Sequence, residues 1–360
     1  MLGAPCLAGF FENATLESNV KRYNMACAVL GTVFLLTFGV LVAHSQTEGA
    51  SPAGQVHMVI TDMSLGDSTE IPSLSPANVQ VKQGKNVLNV QQLIPAREDN
   101  AALQLVVMID DTCDAAGIGN NLNELREFIN AQPPTTAVAV AYMSNATVQF
   151  AQNFTTDHAQ AAKALRLPRG NLSSMDSPYL SLISLVKGWP QQKVRREVLM
   201  ITDGIDRLRG ERSALQAPPS RTPAGARLGP TTMPMTMPTI SVDADSASTM
   251  SQQYGVIVHS IYATGVGRAG RNTWEAQLGQ SGIAKIADET GGEYYSLGVQ
   301  NPVSFKPYLD RLQKIFDNQY FLVFQAPPGK KSGLQRVRIS TNVPNTEIAS
   351  ANNVWVSAGS

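Results

Sequence analysis

Residues 103–110 read LQLVVMID, and no polar residue interrupts the run from Leu105 to Ile109. A run this short, this apolar and this rich in β-branched residues is the pattern of a strand covered on both faces. The pattern recurs in TTAVAVAYMS from Thr135, EVLMITDG from Glu197 and YGVIVHSIYATG from Tyr254. Helical spacing fills the intervals. NLNELREFINA places Leu122, Leu125, Phe128 and Ile129 on one face, and DHAQAAKALR, SPYLSLISLVKGW, IAKIADETGG and PVSFKPYLDRLQKIF follow. Shorter strands are expected at 148–150 and 293–297. Apolar strands alternating with helices predict an α/β fold, a doubly wound, mostly parallel sheet with helices on both faces. Hydrophobic residues make up 43% of the chain, enough for such a core.

The flanks have a different rhythm. Residues 46–100 contain GQVHMVITDMSLGD and ANVQVKQGKNVLNVQQL, with a turn at Gln83-Gly84-Lys85, and predict a small β-rich module. Residues 319–360 alternate around a Gly-Lys-Lys turn, predict antiparallel strands and could pair with that module. Within the central domain, 101–318, the stretch 207–250 is rich in Pro, Thr, Ser and Gly and is expected to be a weakly ordered insertion. At the N-terminus, Lys21 and Arg22 precede an apolar run from Met25 to Ala43, closed by Ala43-His44-Ser45. This fits a secretory signal over 1–45 cleaved after Ser45, or an uncleaved anchor. Either way the remainder is expected to be exported, to the periplasm, the cell envelope or beyond. Cleavage would remove Cys6 and Cys27 and leave Cys113 alone, so no internal disulfide is expected.

Lys plus Arg and Asp plus Glu both number 28, which excludes the basic footprint of a nucleic-acid binder. It also makes one acidic cluster stand out. The strand ending at Ile109 runs into Asp110, Asp111, Thr112, Cys113 and Asp114. Clustered carboxylates repel one another and resist desolvation. In a parallel sheet Asp110 and Asp203 stand at carboxyl ends of strands, where ligands bind. Hard cations favour carboxylate, hydroxyl and water oxygens. Asp110, Thr112, Asp114, Ser177 and Asp203 are therefore the expected metal ligands, with Mg²⁺ favoured over Mn²⁺ or Ca²⁺. No Lys or Arg close by in sequence is expected to relieve the repulsion instead.

These residues resemble the metal-ion-dependent adhesion site of the von Willebrand factor A-type family. That pattern is Asp-x-Ser-x-Ser, a distant Thr, and Asp-Gly after a later strand. Asp110-Asp111-Thr112-Cys113-Asp114 stands for the first element, Ser177 for the second, and Thr202-Asp203-Gly204 for the third. The resemblance covers roughly residues 101–318. The stretches SIYATGVGRAGRNTW, GQSGIAKIADETGGEYY and PVSFKPYLDRLQKIFDNQYFLVF further resemble exported von Willebrand factor A-related proteins of Acidobacteria. Asp114 departs from the family's Ser and adds a charge that either completes the cation's shell or blocks a partner's carboxylate.

The resemblance implies a non-catalytic binding or adhesion protein that engages a protein or cell-surface partner, with no nucleic acid involved. The alternatives are an envelope scaffold with a degenerate site, or a Mg²⁺-dependent hydrolase. The hydrolase lacks a second Asp at the spacing an aspartyl-nucleophile phosphatase needs, and a matching Lys. Asp111 and Asp176 are expected to be solvated bystanders, and Cys113 a packed side chain. His44, His57, His158 and His259 are scattered, with no metal-binding spacing.

Overall fold

The structure, a computed structural model, describes residues 54–64, 73–190, 192, 194–208, 241–266, 273–327 and 331–358. The segment read as signal or anchor lies outside the described residues, as does 209–240 of the insertion. In chain order the strands are β1 (Gln55–Ser64), β2 (Val79–Gln83), β3 (Asn86–Pro95), β4 (Leu103–Asp110), β5 (Thr136–Ser144), β6 (Thr147–Thr155) and β7 (Arg195–Thr202). They continue with β8 (Val256–Tyr262), β9 (Tyr294–Tyr295), β10 (Gln319–Gln325), β11 (Gly333–Arg336), β12 (Arg338–Thr341), β13 (Thr346–Ser350) and β14 (Asn353–Val356). The helices are α1 (Ala115–Gly119), α2 (Leu122–Asn130), α3 (His158–Lys163), α4 (Pro178–Gly188), α5 (Val242–Tyr254), α6 (Thr273–Thr290) and α7 (Lys306–Asp317).

The central sheet has the order β6-β5-β4-β7-β8-β9 among the described residues. All its pairings are parallel except that of the edge strand β6 with β5. Strand β4 lies in the middle, and its period of two divides the core. Leu103, Leu105, Val107 and Ile109 pack with Leu122, Leu125 and Ile129 of α2 and Leu309, Leu312 and Ile315 of α7. Val106 and Met108 face Leu182, Leu185 and Val186 of α4, Ala247 of α5, and Ile283 and Ile286 of α6. The apolar runs are thus buried on both sides by helices, the arrangement their composition requires.

The strands at the two ends of the described chain form one antiparallel sheet, β12-β2-β3-β10-β1-β13, with β11 pairing separately with β14. The hairpin expected within the tail does not form between β10 and β11. Strand β10 carries Tyr320, Leu322, Val323 and Phe324 buried, and takes a central place between β1 and β3. A strand apolar on both faces has no use for the edge position that a tail hairpin would give it. Arg195 joins the two layers: Nη1 donates to the Phe316 carbonyl and Gln319 Oε1, both at 2.8 Å, and Nη2 to the Ala101 carbonyl.

Three further expectations are corrected. Strand β6 runs from Thr147 to Thr155 instead of 148–150, and β9 is two residues long. Helix α5 begins at Val242, inside the stretch expected to be weakly ordered. Its buried residues are Asp243, Ala244, Ala247, Ser248, Ser251 and Gln252, a face of small and polar side chains that gives no large apolar stripe to read. Ser241 Oγ starts it by accepting the Asp243 N–H. No helix among the described residues is long and apolar enough to cross a membrane.

Candidate functional site

The chain leaves β4 towards β5 on one side, and leaves β7 towards β8 on the other. Between two such strands the carboxyl edge opens into a crevice. Asp110 ends β4 and Asp203 follows β7, and both are buried. Asp110 Oδ1 accepts the Thr112 N–H (2.9 Å) and the Thr112 hydroxyl (2.7 Å). Its Oδ2 accepts the Thr202 hydroxyl at 2.6 Å. Burial, then the Asp203 charge, raise the Asp110 pKa to about 6, against Arg207 and the two threonine contacts, which lower it.

Asp203 Oδ1 accepts the Ile205 N–H at 3.0 Å, and Oδ2 receives Nη2 of Arg207 at 2.5 Å. Arg207 is 7% exposed. Burial opposes its charge, but Asp203 and then Asp110 outweigh it, so its pKa is raised. Nη1 donates to the Ile205 carbonyl at 3.2 Å, and the Arg207 backbone N–H to the Asp176 carbonyl at 2.8 Å. The turn that carries Arg207 back onto Asp203 depends on Gly204, at φ +69°. A Cβ there would lie 2.3 Å from the Gly279 carbonyl oxygen, so the position excludes a side chain twice over.

Thr112 contacts Asp110 directly. Asp114 and Ser177 act instead at helix starts. Asp114 Oδ1 caps α1 by accepting the Ala116 N–H at 3.1 Å, and Ser177 Oγ caps α4 through the Leu180 N–H at 3.4 Å. Among the described residues no three His, Cys, Asp or Glu side chains gather closely enough to hold an ion. The structure thus brings Asp110, Thr112 and Asp203 to one crevice, without Asp114 as a third carboxylate. Cys113 is buried, and burial, reinforced by Asp110 and Asp203, pushes its thiol well above the ordinary range, which suits a packed side chain and not a nucleophile.

Asp111 and Asp176, expected to be solvated, are both buried. Asp111 receives a two-pronged contact from Arg166, at 2.6 and 2.8 Å, while Arg166 lies over the Tyr142 ring at 3.6 Å. The Arg169 and Gly170 N–H groups also reach Asp111. Asp176 accepts the Asn145 N–H on one oxygen and the Ser173 N–H on the other. The two aspartates pin the segment between α3 and α4 across the carboxyl edge. On that segment Leu167, Leu172 and Met175 are 46%, 50% and 52% exposed. Sequence reasoning missed this surface. Its only signal was three large apolar residues inside RLPRGNLSSMD, a stretch otherwise typical of a loop.

Neither a family model nor a curated protein matches the chain. Several solved structures are similar. An aerotolerance-related membrane protein from Bacteroides fragilis is 11% identical, with 60% of this chain and 99% of that one covered and a TM-score of 0.37. BatB from Bacteroides thetaiotaomicron is 13% identical, with 59% and 97% covered and a TM-score of 0.38. The von Willebrand factor A domain of SpRpn10 is 9% identical, with 56% and 97% covered and a TM-score of 0.31. The fold is von Willebrand factor A-like. The strand order, the single antiparallel edge and the helices on both faces carry that likeness.

The resemblance implies a divalent cation at this edge, and the donor set can be tested against it. All four carboxylate oxygens of Asp110 and Asp203 already accept a hydrogen bond within the chain. Oδ2 of Asp203 is taken by a guanidinium. As folded, the residues do not fit a divalent ion. The expectation that no basic residue relieves the carboxylate repulsion is corrected: Arg207 does so for Asp203 and Arg166 for Asp111.

Proposed function

We propose that this chain is an exported, non-catalytic binding protein that engages a protein or cell-surface partner at the carboxyl edge of its A-type sheet. The observation that carries the reading is the segment between α3 and α4. It exposes Leu167, Leu172 and Met175 while Asp111 and Asp176 fix its backbone to the sheet. Large apolar side chains held out on a fixed loop are what a binding surface needs, because little ordering remains to be done on contact.

The same geometry argues against hydrolysis. Asp110 has both oxygens occupied by threonine donors, Asp203 is paired with Arg207, and Cys113 is a buried thiol. Among the described residues of this edge, no acid and base are left facing a common point. Export rests on the Lys21-Arg22 pair and the apolar run to Ala43. An envelope scaffold that recognises nothing at this edge is the competing reading.

The test is affinity capture from native envelope with the wild-type chain and with Leu167→Ser/Leu172→Ser/Met175→Ser. All three positions are exposed, so the melting temperature should hold. Capture of the same partner should fall about tenfold or more, a loss of roughly 1.4 kcal/mol or greater. Equal capture by both proteins would favour the scaffold.

A further inference from the structure

We infer that Arg207 is the resident cation of this sheet edge: its guanidinium pairs with Asp203, a carboxylate that the A-type resemblance gives to a divalent ion, so the edge works without metal. The chemistry of the crevice is the same whether or not a partner docks on the neighbouring loop.

Arg207 is fixed at both ends. Its backbone N–H is held by the Asp176 carbonyl at 2.8 Å, and the following Leu208 N–H reaches the same oxygen. Its guanidinium reaches Asp203 Oδ2 at 2.5 Å and the Ile205 carbonyl at 3.2 Å. Both partners of the ion pair are buried, so bulk water screens little of their attraction. The side chain is therefore part of the crevice's wall and not a surface group resting against it.

The opposite wall is shaped for the pair. Residue 265 bridges to Cys113, and the Val266 N–H donates to the Thr112 carbonyl, so this strand end closes directly over the first acidic loop. A Cβ on Gly265 would lie 2.2 Å from Asp203 Oδ2 and 3.1 Å from Arg207 Nη2. The space that a side chain would claim is occupied by the carboxylate and the guanidinium. The crevice fits this ion pair as built.

The charge balance points the same way. Two buried carboxylates, Asp110 and Asp203, face one guanidinium and a set of hydroxyl and amide donors that leave no carboxylate oxygen free. Mg²⁺ demands near-octahedral oxygen geometry and gives up its water reluctantly. It would have to displace a guanidinium that is part of the same chain and is present at an effective concentration on the order of millimolar or above. Mg²⁺ binding therefore has to break an ion pair that the fold already holds together.

The experiment is thermal denaturation of the full chain in EDTA and in MgCl₂ or MnCl₂, for the wild type and for Arg207→Met. The wild-type melting temperature should be the same in all three within about 1 °C, as for a protein with no metal linkage. Arg207→Met removes the resident charge and leaves Asp110 and Asp203 facing each other. It should melt lower in EDTA and recover by roughly 3–8 °C in millimolar metal, as expected for an ion that binds the folded state only. A wild type that metal stabilises would overturn the inference, and so would a folded Arg207→Met that ignores metal. Should Arg207→Met fail to fold in EDTA, it is refolded with Mn²⁺. Recovery there supports the assignment, and no recovery counts against it.

Discussion

Asp62 is the residue whose chemistry is easiest to isolate. It is 1% exposed in β1, and neither carboxylate oxygen has a hydrogen-bond partner. Burial raises its pKa from 3.8 to about 6. The folded state therefore prefers the protonated acid. Its contribution to stability is complete below the unfolded pKa near 4 and is lost as the pH rises through 6. Asp62→Asn should stabilise the protein at pH 7.5 by about 1–3 kcal/mol, and the gain should vanish near pH 4. Denaturant melts at the two pH values measure this directly, and an equal difference at both would refute the assignment. At this scale the sequence was partly legible. Asp110 and Asp203 could be placed because each ends an apolar strand. Arg207 could not, because four residues after Asp203 in a loop a side chain is as free to meet water as to fold back. Gly204 and Gly265 decide which, through contacts with residues far along the chain.

Among the elements, the segment between α3 and α4 depends most on one contact. Arg166 grips Asp111 with two nitrogens and lies over Tyr142, whose hydroxyl accepts the Arg166 backbone N–H at 2.7 Å. A planar fork matched to a carboxylate and stacked on a ring is not replaced by an ammonium. Arg166→Lys and Arg166→Ala should both speed proteolytic cleavage within 165–176, while global stability falls by only about 1–2 kcal/mol. Cleavage unchanged from wild type would mean that Asp111 does not fix the loop. Helices α2, α4 and α7 were legible because each carries a large apolar face. Helix α5 was not, since its buried face is alanine, serine, Asp243 and Gln252, and such residues do not separate a buried face from a solvated one.

Over the described residues, β1–β3 and β10–β14 enclose the parallel sheet in sequence; β1, β2, β3, β10, β12 and β13 form one antiparallel sheet, and β11 pairs apart from it with β14. The flanking β segments were legible as strands, but their order was not, because register among short alternating strands is set by partners more than by the strands themselves. The parallel sheet announced itself through its wholly apolar runs, and its mouth through the acids that end them. What sequence pattern could not decide was the ion at that mouth, since a guanidinium and a divalent cation both answer a cluster of carboxylates. Arg207 is the cation inferred there. Diffraction from crystals grown with Mn²⁺, read by anomalous scattering, tests it most directly. No anomalous peak is expected between Asp110 and Asp203, with Arg207 Nη2 within about 3 Å of Asp203 Oδ2. A Mn²⁺ peak held by Asp110, Thr112, Ser177 and Asp203, with Arg207 turned away, would contradict it.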